Sequence, residues 1–106
     1  MKRFKEVDFG ELKEELEKLE VVGDVCVRRC DDYTTLIILG RWQDGEKDEE
    51  EREFKVSGEV TVKIWFNWLF IRLETGFIVL DRTIKKVEFR EFPEFKVLEV
   101  IFELED

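Results

Sequence analysis

The chain has 106 residues, the size of one domain with one core, and 43% of them are hydrophobic, which argues against global disorder. No uncharged run exceeds 8 residues, far short of the ~20 apolar residues of a membrane helix. The net charge of −9 disfavours nucleic acid as a partner.

Met1-Lys2-Arg3 is followed by no apolar segment of the signal-peptide kind, so a cytoplasmic location is the expectation. Glu is far commoner than Asp, with 19 against 8, and Gln, Asn and Ser occur once each. Many Glu and Lys with few thermolabile amides is a thermophilic trend. The charge is uneven: residues 43–53 hold seven acids and two bases.

In chain order, residues 8–20 read as a helix. Asp8 is the N-cap, with Glu11 in capping-box position. Phe9, Leu12, Leu16 and Leu19 make one apolar stripe. From Val21 the period becomes two. Residues 22–30 and 33–41 read as a hairpin around Asp31-Asp32, which sets Val27 opposite Leu36 and Val25 opposite Ile38. Residues 42–52 read as a solvated acidic loop.

Residues 54–66 then alternate cleanly, with Phe54, Val56, Val60, Val62, Ile64 and Phe66 on one side. Thirteen residues make a long strand, and Gly58 is its expected bend. Asn67 marks a reversal. Residues 69–74 and 77–82 flank Thr75-Gly76, a loop that would place Leu73 opposite Ile78 and Ile71 opposite Leu80. Residues 84–92 alternate with Val87 and Phe89 inward, and Pro93 ends the run. Residues 95–104 suit a helix or a strand, and their Val, Ile and Phe content favours the strand.

The expected architecture is α+β: one N-terminal helix packed on a curled antiparallel sheet of about six or seven strands, a meander or partial barrel, in a single domain spanning 1–106.

No motif in the chain specifies a reaction. Cys26 and Cys30 would lie ~13 Å apart on a strand, too far for a mutual disulfide. With no histidine in the chain, they also make a poor zinc site, and two free packing thiols are expected. Glu53-Phe54-Lys55, with Asp44 upstream, resembles the metal-binding half of restriction-type nucleases. The same spacing recurs at Glu94-Phe95-Lys96, and the reading preferred is outward charges at a strand start. No catalytic residue, metal ligand or cofactor is nominated.

The aromatic run Trp65-Phe66-Asn67-Trp68-Leu69-Phe70 stands out, because it puts bulky groups on both faces of the chain. Trp65, Trp68 and Phe70 are therefore the candidate interface or ligand contacts. Asp44, Glu46, Asp48, Glu49, Glu50 and Glu51 are the candidate acidic loop for docking a protein partner. The function these features suggest is a small binding domain that self-associates as a homodimer. The alternatives are a carrier of a small hydrophobic ligand and, behind it, a metal-dependent or carboxylate enzyme.

Overall fold

The computed structural model describes residues 3–30, 33–57, 60–65, 68–73 and 76–104. The turns expected at Asp31-Asp32, Gly58, Asn67 and Thr75 lie wholly or partly outside these residues.

Strand β1 (Arg3–Val7) leads into helix α1 (Phe9–Glu17), followed by β2 (Leu19–Arg29), β3 (Tyr33–Trp42), β4 (Glu50–Ser57), β5 (Thr61–Trp65), β6 (Trp68–Leu73), β7 (Gly76–Phe92) and β8 (Val97–Leu104). A 3-10 turn, Pro93–Phe95, joins β7 to β8. The eight strands form one sheet in the order β1-β4-β3-β2-β8-β7-β6-β5.

Asp8 caps the helix as the sequence predicts, its Oδ1 accepting from the Glu11 backbone N–H at 2.9 Å. Leu12 and Leu16 bury. The helix is shorter than its apolar stripe suggests, because Leu19 already belongs to β2.

The β2–β3 hairpin has the expected register, Val25 opposite Ile38 and Val27 opposite Leu36. Residues 97–104 are a strand, paired with both β2 and β7.

Three expectations need correction. First, the sheet is mixed, not antiparallel, and its eight described strands exceed the six or seven expected: β1 runs parallel to β4, with Arg3 opposite Arg52 and Val7 opposite Val56. This strand is too short and too charged to show a period, and its partner lies some fifty residues away.

Second, the long alternating segment is two strands, β4 and β5, at positions two and eight of the sheet. Six strand spacings span ~29 Å in a flat sheet. The chain between Ser57 and Thr61 reaches at most ~15 Å. The sheet must therefore curl, and it forms a half-barrel.

Third, the β6–β7 hairpin pairs Ile71 with Ile78 and Leu69 with Leu80, two residues away from the expected register. A slip of two keeps every side chain on its face, so hydrophobic pattern cannot exclude it.

Strand β7 has 17 residues and changes partner midway. Gly76–Thr83 pair with β6, and Ile84–Phe92 pair with β8. It thereby folds a small sheet, β5-β6-β7, over the large one. Leu69, Ile71 and Leu80 meet Val25, Val27, Leu36, Ile38, Phe54 and Phe102 in a single core.

Candidate functional site

The ladders of the small sheet decide where the aromatic run goes. Trp65 pairs with Trp68, Lys63 with Phe70 and Thr61 with Arg72. Across the other ladder, Phe70 pairs with Val79 and Arg72 with Phe77. On β6, Leu69 and Ile71 point into the core and are fully buried, so Trp68, Phe70 and Arg72 lie on the outer face.

That face carries an aromatic cluster beside the exposed Thr61, Lys63 and Arg72. Trp68 is 44% and Phe77 63% exposed. Phe70 and Val79 are half-buried between them. The Phe70 and Phe77 rings sit 6.3 Å apart, tilted by 40°. The structure thus joins two of the three candidate contacts, Trp68 and Phe70, to a residue that the sequence reading passed over, Phe77. The side chain of Trp65 lies outside the described ones. The missed signal was the register itself: Phe77 reaches this face through its pairing with Arg72.

The candidate acidic loop is organised quite differently. Glu50 and Glu51 begin β4, and the connection proper is 43–49. Two members turn towards a buried cation. Arg52 is 3% exposed and donates to Glu15 Oε2 at 3.1 Å, to Asp44 Oδ1 at 2.9 Å and to Glu50 Oε2 at 3.3 Å. Its guanidinium carbon lies 4.3 Å from the Trp42 ring centroid. The Trp42 Nε1–H donates to the Glu50 carbonyl at 2.9 Å, and Lys18 reaches Asp44 at 3.3 Å.

These donors, Arg52 first, hold the Asp44 carboxyl below the usual carboxylate range. Glu49 pairs with Arg41 at 3.6 Å. Glu46, Asp48 and Glu51 are exposed. The segment is therefore partly an ion-pair knot that fastens α1 to β4. A signal for it was available: Arg52, Phe54 and Val56 alternate, which puts Arg52 on the core face.

The nuclease-like trio does not converge. Asp44 binds Arg52 on the inner face of β4. Glu53 and Lys55 alternate to the outer face, where Lys55 pairs with Glu6 at 3.2 Å and lies over the Tyr33 ring. Among the described residues, no group of three or more His, Cys, Asp or Glu side chains is placed to hold a metal ion.

Cys26 and Cys30 are free thiols. Burial pushes the Cys26 thiol up to about 11, with the Glu99 carboxylate adding to the effect and Arg28 opposing it. Arg28 is itself tied to Glu99 at 3.1 Å, so it activates the thiol little.

A cleft of about 580 Å³ opens between the ends of two hairpins, lined by Arg29, Cys30, Glu91, Lys96, Val97 and Leu98. Lys96 holds a left-handed backbone, φ 53°, where the 3-10 turn re-enters β8.

Compared with models of known protein families, with curated proteins and with solved structures, the chain matches none. Its function has to be read from its own side chains.

Proposed function

We propose that this chain is a self-associating interaction domain whose contact surface is the outer aromatic face of β5-β6-β7. One observation carries the reading: the central strand of that small sheet turns large aromatic side chains outward, on a face they share with Arg72 and Lys63. Leu69 and Ile71 fill the core, while Trp68 and Phe70 face outward beside Phe77. An exposed sheet face normally alternates polar side chains outward. Trp68 and Phe77 each leave ~100 Å² exposed, taking the size of an aromatic side chain. Covering each is worth ~2.5 kcal/mol at ~25 cal/mol per Å².

A second copy supplies a matching face, since a two-fold interface places one patch against itself. The carrier reading has less support. The described cleft lies among charged residues at the hairpin ends, away from Trp68. For a basic protein partner, the exposed carboxylates Glu46 and Asp48 offer the contact.

Sedimentation velocity over a concentration series tests the reading. The double substitution Trp68→Ser, Phe77→Ser should weaken association at least tenfold while the circular dichroism spectrum stays that of the parent. An unchanged association constant, or a parent that is monomeric at ~100 μM, would overturn it.

A further inference from the structure

Burial fades along one row of the large sheet. Phe54, Leu36, Val27, Val100 and Phe89 are successive cross-strand neighbours on β4, β3, β2, β8 and β7. Phe54, Leu36 and Val27 are buried and Val100 is half-buried, but Phe89 is 69% exposed. The sequence places Phe89 inward, and it does lie on the inward face. It is exposed because the sheet stops there. Strand β6 pairs with β7 only up to Thr83. From Ile84 to Phe92, β7 has β8 on one side and, among the described residues, no strand on the other. The two terminal strands of the sheet, β1 and β5, are five residues each. The open half of β7 is longer than either, and an open edge is a template for strand pairing.

We propose that this edge pairs with the same segment of a second copy of the chain, antiparallel, about a two-fold axis through Phe89. Charge and aromatic pairing together choose the register. Residues directly opposite one another must share a face, so the axis can pass through Val87, Glu88 or Phe89. An axis through Glu88 sets Lys86 against Arg90 twice and Glu88 against itself, like-charge contacts that outnumber its two Lys85–Glu91 pairs. An axis through Val87 pairs Lys86 with Glu88 but sets Phe89 against Lys85. An axis through Phe89 sets Glu88 against Arg90 twice and Phe89 against Phe89, with Val87 against Glu91 and Lys86 against Phe92 farther from the axis. Glu88 and Arg90 are both exposed, and within one chain they touch only loosely, at 3.5 Å. Opposite charges and paired aromatics across a ladder both stabilise it. The paired row then runs on through Val100 of each copy, and the ends of the two cores meet.

The inference rests on the reading that the chain self-associates, but it uses a different surface, so the two can fail separately. The test is made in the Trp68→Ser, Phe77→Ser background, which removes the aromatic face. Sedimentation velocity should still detect dimers there. Glu88→Arg and Arg90→Glu should each weaken them at least ~tenfold. The double reversal E88R/R90E should restore the affinity to within about threefold. Glu17→Arg, which changes the net charge as Glu88→Arg does, lies on exposed helix surface and should leave the affinity unchanged.

A monomeric background overturns the edge proposal and leaves the aromatic face standing. Reversals without effect, a double reversal that does not restore pairing, or an equal effect of E17R overturn it too. Should the double reversal fail to fold, F89C in a C26S/C30S chain gives a second reading. Under oxidised glutathione it should cross-link to its own copy, and absence of that dimer refutes the axis through Phe89.

Discussion

Arg52 Nη1 lies 3.1 Å from Glu15 Oε2, and this buried pair ties helix α1 to strand β4. Glu15 falls between Leu12 and Leu16 on the buried side of α1. Arg52 stands in the row that continues through Ile38, Val25 and Phe102. Lys5 also reaches Glu15, at 3.2 Å, so β1 joins the same knot. Removing Arg52 leaves Glu15 and Asp44 only the more exposed Lys5 and Lys18 as countercharges. Arg52→Ala should therefore cost about 3–5 kcal/mol, read from urea unfolding. A loss below about 1 kcal/mol would mean that water replaces the guanidinium.

Asp44 makes the knot sensitive to acid. Its carboxyl is held below the ordinary value of 3.8 in the folded chain, chiefly by the hydrogen bond from Arg52. A depressed folded pKa stabilises the fold above the unfolded pKa, and the contribution is lost as pH falls through the folded one. Asp44→Asn should therefore be less stable than the parent at pH 7, and the gap should close below about pH 4. Urea titrations at pH 7, 5, 4 and 3 measure it, and a gap constant with pH would contradict the assignment.

Gly40 is required by packing. It sits opposite Val21, and a Cβ there would run into the Leu19 side chain and lie 2.8 Å from the Glu20 carbonyl oxygen. The backbone oxygen cannot rotate away. Gly40→Ala should cost about 1–3 kcal/mol by overpacking, measured by thermal or urea unfolding. A neutral outcome would show that β2 and β3 can separate at no cost.

Cys26 should be a slow nucleophile. With its thiol pushed up to about 11, little thiolate exists at neutral pH. At pH 8, alkylation of Cys26 by iodoacetamide should run at least ~tenfold slower than that of free cysteine. Mass mapping after a timed quench separates it from Cys30. Rapid labelling of Cys26 would mean that the strand opens readily.

What the sequence determined by itself is local. The Asp8 cap, the buried Leu12 and Leu16, and the Val25–Ile38 and Val27–Leu36 register follow from side chains that are close in the chain, where period and turn length act directly. The aromatic run likewise put bulky groups on both faces of the chain, and Trp68 and Phe70 share the outer one while Leu69 is buried. Tertiary structure decided whatever couples distant segments. The parallel docking of β1 on β4 has no local signature. The division of the alternating segment into β4 and β5 depends on a sheet that curls back on itself. The two-residue slip of the β6–β7 hairpin preserves every face, so no pattern of apolar residues could select it. Arg52 looks like one more charge in an acidic run until Glu15, Asp44 and Trp42 close around it. Only a contact between segments can turn a solvated charge into a buried one, because desolvation is offset by partners that the neighbouring sequence does not contain.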